Sequence, residues 1–192
     1  VRLLLAILFT FAFAATGGLT ATWLAVTRGF GLGGVTSGAW TAHPKSGTTD
    51  IDPYARAFIA RTGALPLGSG DGVAFIARTD DGGKPLDGRC DLVIAGLTPQ
   101  ARYWTLTLYD PEGRLVANVV GRHGFTSQEI VRRADGSFEI VAASRARAGN
   151  WIPTGGVERY ILMLRLYDTA VGIATRAGRE TAMPSLRSGA CA

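Results

Sequence analysis

A nucleophile held beside a base would be the clearest sign of chemistry in this chain, and the residues for it are scarce. No G-x-S-x-G turn displays a serine, and the only histidines are His43 and His123. His43 stands in a polar stretch with Pro44 and Lys45, and His123 lies in Gly121-Arg122-His123-Gly124. Both read as loop positions, with a general base at His123 as the less favoured alternative. Paired carboxylates would suit glycoside hydrolysis. Asp80-Asp81 reads instead as a turn, and Asp110 and Asp168 end strands, where an Asp side chain bonds its own turn backbone. No catalytic residue is therefore assigned.

The richest polar-aromatic cluster is Gly149-Asn150-Trp151-Ile152-Pro153-Thr154-Gly155-Gly156. A Trp between turn residues can stack on a sugar while Asn supplies hydrogen bonds. The competing and favoured reading has Trp151 plugging one end of the fold and Asn150 satisfying loop backbone. Arg165 interrupts an apolar strand and should lie opposite Leu164 and Leu166, facing solvent or paired with an acid. Trp104, His123, Asn150, Trp151 and Arg165 are the candidate ligand-binding residues.

No metal or other cofactor is expected. Cys90 and Cys191 are far from either His and show no ligand spacing. Gly29-Phe30-Gly31-Leu32-Gly33-Gly34 matches G-x-G-x-x-G, but that pattern binds dinucleotides only between a strand and a helix. Here it follows a long apolar segment and reads as a linker. In an exporting context the two cysteines favour a disulfide joining a strand to the C-terminal tail, with two independent thiols as the alternative.

The elements that must position these residues are mostly strands. Asp52 can cap one helix, with Pro53 at its first position and Tyr54 to Thr62 running to Gly63. Its apolar face suits packing on a sheet. Val73 to Arg78 and Asp91 to Ala95 read as strands. Tyr103 to Tyr109 alternates, with Trp104, Leu106 and Leu108 on one face, and pairs in expectation with Arg114 to Val119 across Asp110-Pro111-Glu112-Gly113. Glu129 to Arg133 and Phe138 to Ala142 suggest a second hairpin, and Arg159 to Tyr167 is the last clear strand. Leu106-Thr107-Leu108-Tyr109-Asp110 echoes Leu164-Arg165-Leu166-Tyr167-Asp168, as corresponding strands of two sheets would. Short strands at this density predict a mainly β sandwich or jelly roll with one or two short helices.

Residues 3 to 26 carry no charge, and about 20 apolar residues span a bilayer core. Arg2 precedes the segment, so the N-terminus is expected in the cytoplasm and the domain outside it. A cleaved signal ending at Ala12-Phe13-Ala14 is the rival reading. Gly17, Gly18 and their small neighbours also permit close helix packing, as in a subunit of a membrane complex. The net charge of +5 comes from 20 basic and 15 acidic residues mixed along the chain. The concentrated basic stripe of a nucleic-acid binder is not present, although arginines could meet anionic lipid or glycan.

Several motifs in order resemble the domain-of-unknown-function 1214 family. They are Asp52-Pro53-Tyr54-Ala55-Arg56-Ala57, Gly88-Arg89-Cys90-Asp91-Leu92, Tyr103 to Asp110, Asn150-Trp151-Ile152-Pro153 and Leu164-Arg165-Leu166-Tyr167. The resemblance runs from about Gly38 to Cys191 and implies a jelly-roll-like β-sandwich in a short, membrane-anchored form. It implies no reaction and no catalytic residues, and it fits a Cys90–Cys191 bridge. The organisation expected is an anchor or signal over residues 1–27, a Gly-rich linker over 28–37 and the sandwich over 38–192. The function expected is a non-catalytic module in the periplasm of a bacterium, held in the inner membrane and binding a glycan, a small ligand or an envelope protein. An uncharacterised periplasmic enzyme and an accessory membrane subunit are the alternatives.

Overall fold

Period-two alternation places one set of side chains on each face of a strand, and along the strands Gly72–Ala77, Cys90–Gly96, Tyr103–Tyr109 and Ile161–Tyr167 of this chain every second side chain is buried. The computed structural model describes residues 1–28, 34–62, 65–68, 70–170 and 182–191. Its helices are α1 (Arg2–Arg28) and α2 (Pro53–Thr62), with a 3-10 turn at Pro44–Gly47. Its strands are β1 (Val35–Ser37), β2 (Trp40–Ala42), β3 (Gly72–Ala77), β4 (Cys90–Gly96), β5 (Tyr103–Tyr109), β6 (Gly124–Thr126), β7 (Phe138–Ala143), β8 (Asn150–Pro153), β9 (Ile161–Tyr167) and β10 (Ser185–Cys191). The chain divides into two units, one holding α1 and α2 and the other holding the strands.

In the strand unit a six-stranded sheet runs β1-β2-β3-β9-β5-β6 and a four-stranded sheet runs β10-β4-β7-β8. All pairs are antiparallel except β7–β8. The inner faces of both sheets meet in one core that includes Trp40, Phe75, Ile94, Leu106, Phe138, Ile140, Leu162 and Leu164. The result is the expected β-sandwich. Trp40 donates its indole N–H to the Pro184 carbonyl at 2.8 Å, and the Leu186 N–H donates to the Asp81 carboxylate at 2.8 Å. These two bonds join the sheets along one edge. Asp80 and Asp81 are thus turn residues, and Asp81 also satisfies the outer side of β10.

Several elements differ from expectation. Arg114 to Val119 forms no strand, only a single bridge between Tyr109 and Leu115, and β5 pairs with β6 instead. Glu129 to Arg133 likewise leaves one bridge, Arg132 to Phe138, because the backbone of Val131 is engaged by the side chain of Asn150. Val35–Ser37, inside the expected linker, pairs with β2. The Cys191 tail is a strand paired with β4. The echoed segments are neighbours in one sheet, β5 against β9, rather than counterparts in two.

In the helical unit, Asp52 caps α2, its Oδ1 accepting from the N–H groups of Tyr54 at 2.9 Å and Ala55 at 3.1 Å. The Gly63 that should end this helix lies outside the described residues. Helix α2 packs on α1, and the Arg61 guanidinium lies 5.0 Å from the Trp23 ring centroid. Helix α1 is apolar over Arg2–Thr27, with mean hydropathy 2.0 and no part buried, long enough to cross a membrane once.

Candidate functional site

The candidate residues divide between two places. Asn150 and Trp151 open β8, the edge of the four-stranded sheet. Asn150 is buried, and its amide is fully used. Oδ1 accepts from the Val131 N–H at 2.8 Å, and Nδ2 donates to the carbonyls of Val131 and Glu139, each at 2.8 Å. The amide mimics a strand backbone and closes the open side of β8. Trp151 alternates to the outer face and is half-buried, with its indole N–H donated to the Ala143 carbonyl at 3.0 Å. Neither residue has a polar group to spare for a ligand.

Arg122 and His123 approach the same edge from the other sheet. The Arg122 guanidinium donates to the Trp151 carbonyl at 3.3 Å and lies 5.3 Å from the Phe125 ring centroid. His123 Nδ1 sits 3.4 Å from the Asn118 amide nitrogen. That amide also holds the backbone of Val116 and Arg122. These side chains organise a loop and bridge the sheets. His43 follows β2, and its pKa is lowered, first by desolvation and then by the Arg78 cation. Trp104 is 2% exposed and packs its ring 5.4 Å from that of Phe138, so it is a core residue.

Arg165 lies elsewhere, on the outer face of the six-stranded sheet and opposite the buried Leu164 and Leu166. Cross-strand register builds its surroundings. Ala74 and Thr105 flank Arg165, Ile76 and Thr107 flank Met163, and Tyr167 faces Tyr103. The Tyr103 and Tyr167 rings are 5.8 Å apart at 42°. The guanidinium of Arg165 donates to the Tyr109 hydroxyl at 3.1 Å, and its centre lies 5.7 Å from that ring. Among the described residues no carboxylate pairs with Arg165. The carboxylates near either end of the two strands are engaged elsewhere, Asp110 with Arg114 at 2.8 Å and Asp168 with Arg102 at 3.8 Å. A half-buried cation among three tyrosines and a row of threonines forms a flat face able to bind an anion or a polyhydroxyl group. The tyrosines were missed in the sequence, although Tyr103, Thr105, Thr107 and Tyr109 alternate opposite Trp104, Leu106 and Leu108.

The two cysteines are bonded to each other. They are partners across β4 and β10, beyond a register shift that follows Ser188. Beside them Arg147 grips Asp91, with N–O distances of 3.0 and 2.7 Å. Cys90 and Cys191 are therefore structural, and the bond suggests an oxidising compartment.

A family model described as "Protein of unknown function (DUF1214)" matches residues 71–171. That stretch takes in the motifs at Cys90, Trp104, Trp151 and Arg165 but not the helix at Asp52. Among solved structures, the VPA0106 protein from Vibrio parahaemolyticus aligns with a TM-score of 0.58 at 20% identity, over 73% of this chain and 36% of its own. An uncharacterised protein from Burkholderia cenocepacia aligns with a TM-score of 0.44 at 18% identity, over 94% of this chain and 42% of its own. The chain spans less than half the length of either protein. No curated protein matches it.

Proposed function

The chain belongs to the DUF1214 family of proteins of unknown function, and from that premise we propose a non-catalytic binding domain, anchored in the bacterial inner membrane and facing the periplasm, whose ligand seat is the sheet face around Arg165. The observation that carries this reading is Arg165 itself. A guanidinium offers five N–H donors in a planar fork, and here one meets the Tyr109 hydroxyl while no described carboxylate takes the others. Such a cation suits a carboxylate or phosphate on the ligand, held bidentately. The tyrosine rings and threonine hydroxyls around it suit a sugar, so an acidic glycan is the class that fits. The apolar helix α1 and the disulfide support the membrane and periplasmic parts of the reading.

The test is a thermal-shift screen of the full chain, oxidised, against acidic and neutral glycans and small envelope metabolites. A ligand at a hundred times its dissociation constant adds about 2.7 kcal/mol of apparent stability. Acidic glycans are expected to raise the melting temperature. The shift should vanish in Arg165→Met, which keeps the stem of the side chain and removes its fork. A shift that survives Arg165→Met and disappears in Trp151→Ala would move the seat to the other sheet. No shift with any acidic ligand would overturn the proposal.

A further inference from the structure

We infer, on the anchor reading of α1, that the C-terminal turn of α2 rests in the headgroup layer of the same membrane, with the Arg61 guanidinium bound to lipid phosphate. The observation is where on α1 the second helix sits. The side chains of α1 are exposed from Arg2 to Trp23, and Leu24, Ala25, Val26 and Thr27 are partly covered. Helix α2 packs on α1, and the Arg61 guanidinium lies 5.0 Å from the Trp23 ring centroid. The packing is therefore at the C-terminal end of α1, and the last turn of α2 is what meets it.

Length sets the depth of that end. A helix rises about 1.5 Å per residue, so about 20 residues cross a hydrocarbon core of about 30 Å. The uncharged stretch 3–26 is only a little longer. Whether it is centred in the core or shifted toward either end, one boundary falls close to Trp23 to Val26. Beyond that boundary the headgroups add a layer of roughly 5 to 7 Å, thinner than a helix, which is about 10 Å across. A helix turn in contact with Trp23 therefore cannot avoid that layer.

The chemistry of the contact fits the place. Trp23 is 60% exposed, an amphipathic ring of the kind found at headgroup level. Arg61 stands over it, and among the described residues neither a carboxylate nor a hydrogen-bond acceptor engages its guanidinium. A guanidinium has five donors and takes phosphate oxygens two at a time. Long basic side chains lay their stems on apolar surface and carry the charge to the polar layer. Helix α2 holds no acid. Asp52 is occupied at the opposite end of α2 as its cap, and Asp50 faces Lys45 at 3.5 Å. Position and donor geometry, not net charge, select the partner, so the phosphate of a zwitterionic lipid suffices.

The test uses the full chain, oxidised, in vesicles of phosphatidylcholine. Its two cysteines are bonded to each other, so an added thiol alone takes an environment-sensitive nitrobenzoxadiazole label. Ala60→Cys places the label at an exposed position beside Arg61, and Phe13→Cys places it midway along α1. Doxyl quenchers are carried either near the headgroup or deep in the acyl chain. Residue 13 is expected to emit blue-shifted light quenched chiefly by the deep probe, and residue 60 blue-shifted light quenched chiefly by the shallow one. A water-like, unquenched residue 60 beside a quenched residue 13 overturns the inference and leaves the anchor standing. Water-like emission at both positions sinks the anchor and the inference with it. A blue shift at residue 60 that neither probe quenches also overturns it, because protein would then cover the turn, as does stronger deep than shallow quenching there. The phosphate contact is read by solid-state NMR on the unlabelled chain with isotopically labelled arginine Cζ, as dephasing of that signal by lipid phosphorus. Arg61→Gln is expected to remove part of the dephased signal, and a dephased signal of unchanged size overturns the contact.

Discussion

Asn150 shows how much one side chain can hold at an edge. Its replacement by Ala removes three hydrogen bonds, but water can reach the exposed backbone of Val131, so the cost falls near the net value of such bonds. Asn150→Ala is expected to lose about 2 kcal/mol, read as a lower urea midpoint at unchanged slope. Asp87 acts through charge. Its carboxylate accepts from the Arg89 guanidinium at 2.7 Å and from the Arg89 N–H at 2.9 Å. Those bonds pull its pKa down to about 2, from an ordinary value of 3.8. A depressed acid stabilises the fold fully above its unfolded pKa and loses that effect as pH falls toward the folded one. Asp87→Asn is therefore expected to be less stable than the native chain at pH 7, with the gap in urea midpoints closing between about pH 4 and pH 2. A gap that persists at pH 2 would show that packing, not ionisation, is what Asp87 supplies. At this scale the sequence displays Asn150 and Trp151 because a Trp among turn residues is conspicuous. It is silent on their polar atoms being consumed internally, since Val131 and Ala143 reach them only through tertiary structure.

Among the elements, β10 is an edge strand tied at its far end by the Cys90–Cys191 bond, 101 residues apart in sequence. Reduction frees a loop of that size in the unfolded state, and the chain-entropy estimate of the loss is about 4.7 kcal/mol. Reduced protein is expected to melt lower and to exchange the amides of Ser188 to Cys191 rapidly. The Leu186 amide, bonded to Asp81, should stay protected. Uniform loss of protection across the sheet would mean that β10 has no stability of its own. The strands β3, β4, β7 and β9 were legible as apolar runs of six or seven residues, and β5 by its alternation of Thr with Trp and Leu. Their partners were not. The turn at Asp110 signals a hairpin locally, yet the Asn118 side chain bends the returning segment into a loop, and β6 takes the open side of β5. β1, β2 and β6, each three residues long, are too short to carry a period. The face of Arg165 followed from alternation, but its neighbours Tyr103 and Tyr109 came only with the register of β5 against β9.

For the whole molecule, the apolar length of α1 is expected to keep the full chain in the membrane fraction through an alkaline wash. A chain beginning after Arg28 should be released by the same wash, and full-length protein in the supernatant would contradict the anchor. Under the anchor proposed for α1, the disulfide also takes on a mechanical meaning. The bond turns residues 90–191 into a closed ring, with β1, β2 and β3 on the chain leading into it. A load applied between α1 and the C-terminal residue passes along that leading chain and then straight across sulfur to sulfur. Only the stretch between α1 and the ring can pay out, about 60 residues or roughly 210 Å at full extension. The pairing of β3 with β9 carries the load until β3 is peeled away, and after that β5 and β9 lie inside the closed ring and off the covalent force path.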